Sequence, residues 1–136
     1  MPGSERDAIL EIVNDWMRQA YSDLAVARMI ENKEIAPEIL AFHAQQAAEK
    51  SLKALLILKQ VEFPRTHIIG VLINLCGEAG YPVHDLPGEI VTLSRYAVTT
   101  RYPGEADPVS REDAKNAALL ADQVFSWSTV LLTDQE

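Results

Sequence analysis

At 136 residues, 48% apolar and 24% charged, the chain has the size and core material of one ordinary globular domain, which excludes disorder and makes cross-links unnecessary for folding. Twelve Lys and Arg against 20 Asp and Glu leave a net charge of −8; this excludes binding of nucleic acid through a general basic surface, which rests on counterion release, and disfavours membrane adsorption. The single cysteine, Cys76, excludes an internal disulfide and a multi-cysteine zinc site, and no apolar run reaches the roughly 18–20 residues that span a bilayer.

Turn and capping signals divide the chain into five helical stretches. The first runs from about Glu5 to Asn32, with Ile9, Val13, Trp16, Ala20, Leu24 and Ala27 on one face of a 3.6-residue period. Pro37 suits the first turn of a second helix that reaches about Gln60. That helix is apolar on more than one side, which predicts a central position. Its small residues Ala44, Ala47, Ala48 and Ser51 invite close approach by a neighbour. Phe63-Pro64 closes it, because the residue before proline is pushed out of the α region.

A third helix is expected from Thr66, as N-cap, through Ile69, Leu72, Ile73 and Cys76 to the glycines at 77 and 80. Cys76 reads there as a buried small hydrophobe. After a turn at residues 81–85, Pro87 opens a fourth helix with Ile90, Leu93 and Ala97 on one face, ending around Arg101-Tyr102-Pro103-Gly104. Ser110 caps the fifth, with Asp113 three residues on as a form of the capping box. Ala114, Ala117, Ala121, Val124, Ser128 and Leu131 then repeat at heptad spacing, which suits antiparallel or intersubunit packing. No β-alternation, internal repeat or linker interrupts this series. The expectation is an all-α, antiparallel up-and-down bundle of four to five helices, one domain over residues 1–136, in the cytosol.

Phosphate loops, His-Glu-x-x-His helices and nucleophile elbows are absent from the sequence. The three histidines, at 43, 67 and 84, lack the spacing of a metal site or of the Glu-x-x-His pairs of di-iron bundles. Two polar groupings remain. His43, Gln46, Lys50 and Lys53 share an arc of about 80° on the second helix at 100° per residue; such a strip meets solvent, a buried partner, a second subunit or a phosphate. Arg95-Tyr96 and Arg101-Tyr102 combine a phosphate fork with a stacking ring. A rival role for Arg95 is an ion pair with Glu49 or Asp23 that only orients helices. Arg65-Thr66-His67 adds positive charge near a helix start.

The run Phe42-His43-Ala44-Gln45-Gln46-Ala47-Ala48-Glu49-Lys50-Ser51-Leu52-Lys53-Ala54-Leu55-Leu56 resembles the signature helix of HEPN domains. Pro64-Arg65-Thr66-His67 with the apolar helix after it, the Arg101-Tyr102-Pro103-Gly104 turn, the alanine-rich last helix and the segment from Trp16 to Ala27 are similar as well. The resemblance spans roughly Asp15 to Leu132. It implies a homodimeric helical bundle associated with nucleotides or RNA, encoded beside a minimal nucleotidyltransferase in a toxin–antitoxin or defence system. Ribonuclease members of that family carry an Arg, four to six residues, then a His; here no histidine follows any arginine at that interval.

The leading expectation is therefore a non-catalytic binding module without metal or cofactor. Its candidate contacts to nucleotide or RNA are His43, Lys50, Arg95, Tyr96, Arg101 and Tyr102. The rivals are a divergent metal-independent ribonuclease using Arg95 or Arg101 with His67, and a structural helical scaffold.

Overall fold

The computed structural model describes residues 2–98 and 108–134. Helix α1 spans Pro2–Ala27, α2 spans Pro37–Leu58, α3 spans Ile69–Glu78 and α4 spans Arg111–Asp134. A short 3₁₀ turn, Val83–Asp85, and a longer 3₁₀ segment, Gly88–Tyr96, connect α3 to α4. Val13 of α1 meets Ala54 and Leu58 of α2, while Asp23 meets His43 and Lys50, so these helices run antiparallel. Arg28 bonds Asp122 and Tyr21 meets Phe125; α4 therefore runs antiparallel to α1 and in the same sense as α2. The described residues form an all-helical bundle, as the sequence predicts.

Helix α2 is the central element, because it is buried on most of its circumference. Leu40, Ala44, Ala47, Ala48, Ser51, Leu52, Leu55 and Leu56 are fully inaccessible. They join Leu24, Ile69, Leu72, Cys76, Leu93 and Val124 in one core. Burial pushes the Cys76 thiol up to about 12, so this residue is an inert core hydrophobe, as expected. Helix α2 ends with the N–H of Val61 on the carbonyl of Leu56 and that of Gln60 on Ile57, closing two orphan carbonyls around a left-handed Gln60 (φ 56°). Gly80 (φ 98°) does the same for α3, where a left-handed residue costs glycine nothing.

Three boundaries differ from the sequence reading, each through a distant partner or a different helix type. Helix α1 stops at Ala27 rather than near Asn32; the turn after it is held by Arg111, which donates to the carbonyls of Ile30 (3.0 Å) and Ile35 (2.7 Å). Helix α3 begins at Ile69 rather than at Thr66. The Thr66 hydroxyl accepts the Ile68 N–H (3.1 Å), and the Ile69 N–H is satisfied by the Ser94 hydroxyl (2.8 Å) from the 3₁₀ segment. The fourth predicted helix is 3₁₀ over Gly88–Tyr96, with Ile90, Leu93 and Tyr96 buried at strict intervals of three, the period at which 3₁₀ side chains align. The capping box of the last helix stands: Ser110 and Asp113 exchange backbone-to-side-chain bonds, both 3.0 Å.

Candidate functional site

The polar strip of α2 is clamped into the helix interfaces rather than solvated. Asp23 lies beside Leu24 on the inner face of α1, so its carboxylate enters the α1–α2 contact and is only 8% exposed. One oxygen receives His43 Nδ1 and the other Lys50 Nζ, each at 2.8 Å. Two of the predicted contacts thus converge on one buried carboxylate. A phosphate that recruits them competes with Asp23.

Further round the same helix, Glu49 is 4% exposed and holds a second cluster. Its Oε2 receives Lys53 Nζ at 2.9 Å. Its Oε1 receives Gln45 Nε2 at 3.0 Å and His67 Nδ1 at 2.8 Å. The Gln45 amide also donates to the His67 carbonyl (3.1 Å), and Gln46 donates to the Gln45 amide oxygen (2.8 Å), which extends this cluster by one residue of the strip. Lys53 sits between the rings of Trp16 and Phe63, 5.9 and 5.7 Å from their centroids. Burial works to raise the Glu49 carboxyl, but the bonds from Lys53, Gln45 and His67 outweigh it and hold the group below the ordinary carboxylate range.

The two histidines present different faces to the outside. His43 has 30% of its side chain exposed and His67 has 65%. A carboxylate only accepts, so Glu49 fixes a hydrogen on Nδ1 of His67 and turns Nε2 outward. An imidazole so oriented can take or give a proton at Nε2.

The remaining described contacts belong to the 3₁₀ segment. Arg95 is exposed, and its guanidinium carbon lies 5.1 Å from the centroid of the Tyr96 ring. Tyr96 is only 7% exposed and belongs to the core, which makes its ring the floor beneath Arg95 rather than an open stacking platform. Asp23 is bonded by His43 and Lys50, and Glu49 by Lys53, Gln45 and His67. The carboxyl of Asp113, at the start of α4, is lowered first by bonds from Ser110 and further by Arg95. Arg101 and Tyr102 lie outside the described residues.

The structure thus groups His43 with Lys50 and Arg95 with Tyr96, on separate elements. Sequence reasoning missed Asp23, Gln45 and Glu49 as site residues. Two signals were available: Gln45, Glu49 and Lys53 form a ladder at intervals of four, and Asp23 is an acid adjoining the buried stripe of α1. Among the described residues, no three His, Cys, Asp or Glu side chains are placed to hold a metal ion, and no helix is long and apolar enough to cross a membrane.

A family model described as HEPN domain matches residues 13–131. The chain is 29% identical over 124 residues to a candidate toxin, MJ1304, of Methanocaldococcus jannaschii, covering 81% of each protein. It is similar to the crystal structure of TT1696 from Thermus thermophilus, with a TM-score of 0.65 at 29% identity over 86% of this chain and 95% of that one. It is similar also to ST0689, an archaeal HEPN homologue, with a TM-score of 0.63 at 27% identity over 88% and 96% of the two chains.

Proposed function

The chain belongs to the HEPN domain family, and from that premise we propose that it is the binding module of a toxin–antitoxin or defence system, a homodimer that holds a nucleotide or RNA end and is partnered by a minimal nucleotidyltransferase. The toxin name of the Methanocaldococcus jannaschii relative supports the setting. The observation that carries the binding half is the exposed Arg95 guanidinium laid over Tyr96 at 5.1 Å. Stacking uses the face of that fork, while its N–H edge suits the oxygens of a phosphate. In a chain of net charge −8 an anion needs such a local cation, and Arg101 and Tyr102 follow a few residues on in the sequence. His43 and Lys50 share Asp23, which ranks them as secondary contacts.

Calorimetry with ATP and with a short oligonucleotide tests this reading on the wild type, Arg95→Lys and Arg101→Ala. The lysine variant keeps the charge and loses the bidentate fork. Roughly tenfold weaker binding is expected for each variant, equivalent to about 1.4 kcal/mol, with the fold intact by circular dichroism. Equal affinity in all three would leave the arginine cluster a structural role and sink the site.

One observation favours a second reading, the divergent ribonuclease: Glu49 orients an exposed imidazole at His67. Against it stands the absence of any arginine-to-histidine spacing of the kind used by ribonuclease members.

A further inference from the structure

Helices α1 and α4 meet where Arg28 bonds Asp122 and the rings of Tyr21 and Phe125 stand 5.8 Å apart. Beyond that contact, toward the start of α1 and the end of α4, a groove of about 320 Å³ opens between them, a volume in the range of small-ligand sites. The antiparallel pairing of Tyr21 with Phe125 sets the register of its walls. One helical turn on, about 5.4 Å, Arg18 faces Thr129, and a turn further Asn14 faces Thr133. Half-buried Met17 and Leu132, which pack with Val13, Ala54 and Leu58, form the floor.

The two walls differ in hydrogen-bonding character. On α4, Thr129 donates its hydroxyl hydrogen to the carbonyl of Phe125 (2.9 Å) and Thr133 donates to that of Thr129 (2.8 Å), so both oxygens remain as acceptors. On α1, Arg18 presents a fork of N–H donors. Its pair with Asp15 is exposed on both sides, and such pairs hold their partners weakly. The lining contains no carboxylate and one charge, that of Arg18. Tyr21 closes the end with a residue 53% exposed, while Phe125 and Arg28 hold the ring at its edge and its hydroxyl.

The geometry points to this groove as a site for a guanine base, carried by a free nucleotide or by an RNA strand. A planar ring stacks on Tyr21 above Met17 and Leu132, as bases do on open aromatic side chains. Guanine sets two neighbouring acceptors, O6 and N7, on one edge and its N2 amino donors on another. The acceptor edge suits the Arg18 fork, the pairing most used to read this base. The donor edge suits the hydroxyl oxygens of Thr129 and Thr133. Adenine carries an N6 amino group in place of O6, which would set donor against donor at Arg18. The site goes beyond the Arg95 reading above and stands apart from it. Asp113, which feels the charge of Arg95, lies about 18 Å before Phe125 along α4 at 1.5 Å per residue.

Calorimetry with GMP, AMP, 7-deaza-GMP and IMP tests the site on the wild type, Tyr21→Ala, Arg18→Gln and Arg95→Lys. The wild type is expected to bind GMP roughly tenfold more tightly than AMP. Loss of N7 in 7-deaza-GMP, or of the 2-amino group in IMP, weakens binding as well. Arg18→Gln abolishes the dependence on N7, so that GMP and 7-deaza-GMP bind alike. Tyr21→Ala weakens GMP roughly tenfold through the lost stacking surface, and unchanged circular dichroism confirms that these exposed substitutions leave the fold in place. Arg95→Lys keeps the preference for GMP. A pentaadenylate with a central guanine separates the sources: tighter binding than GMP assigns the base to an RNA strand, and equal binding to a free nucleotide. Equal affinity of the wild type for GMP and AMP, no binding of GMP or the pentamer, or GMP binding untouched by Tyr21→Ala would overturn the site. A preference for GMP lost in Arg95→Lys but kept in Tyr21→Ala would move the base to Arg95, leaving the reading above and removing this one.

Discussion

Glu49 is the residue on which the buried polar chemistry of α2 turns. Its carboxylate is bonded by an ammonium, an amide and an imidazole, and an acid buried without such donors would be forced to protonate. Because the folded state holds this carboxyl below its ordinary value of 4.5, folding favours the ionised form. The stabilisation is complete above that value and is lost as the pH falls through the depressed one. Glu49→Gln keeps an acceptor but removes the charge facing Lys53. It should lower stability at pH 7 by about 1–3 kcal/mol, the cost of leaving a buried partner poorly satisfied. The variant should also flatten the decline in stability below about pH 4.5 that the wild type shows. Urea midpoints at pH 7, 4.5 and 3 measure both. Parallel pH curves for the two proteins would mean that folding leaves the Glu49 carboxyl unshifted.

Among the elements, α2 is the one whose packing the sequence displays openly. Ala44, Ala47, Ala48 and Ser51 are spaced along it, and all are inaccessible, so neighbouring helices approach at a distance set by methyl groups and a hydroxyl. Ala47→Leu or Ala48→Leu should therefore cost about 1–3 kcal/mol through overpacking, with Ala→Ser milder at either position. A thermal midpoint unmoved by both leucine variants would contradict that burial. The helical stripes of α1 and α4 and the Ser110–Asp113 box were equally legible, because each is encoded within a few residues. What was not legible came from far along the chain. The Ser94 hydroxyl caps α3, and Arg111 holds the turn after α1 by its carbonyls. The 3₁₀ segment was misread for a different reason: Ile90, Leu93 and Ala97 fit an α-helix, but Tyr96 rather than Ala97 is the buried member. In the site, the strip from His43 to Lys53 was visible as a pattern. Of its two carboxylate anchors, Glu49 stands four residues before Lys53 and is legible as an i,i+4 pair, whereas Asp23 joins only when α1 folds back on α2.

At the scale of the whole molecule, the proposed binding module has the divergent ribonuclease as its rival. Cleavage without a metal needs a proton-transferring group near neutral pH and a cation at the scissile phosphate, held together. The chain has three histidines, and none stands four to six residues after an arginine. Of them, His43 is tied to Asp23, and His84 is largely exposed beside Asp85. His67, oriented by Glu49, is the imidazole best set for proton transfer. A net charge of −8 gives RNA no general attraction to bring its backbone there. The purified chain alone should therefore leave a labelled single-stranded RNA intact through incubations of hours with EDTA present, even where calorimetry detects binding. His67→Ala and Glu49→Gln, prepared alongside, distinguish the chain's own activity from a copurifying nuclease, which neither substitution would touch. Robust EDTA-resistant cleavage that vanishes in His67→Ala and falls in Glu49→Gln would make the Glu49–His67 pair a catalytic dyad. The protein would then be a divergent ribonuclease, with Arg95 left to hold its substrate.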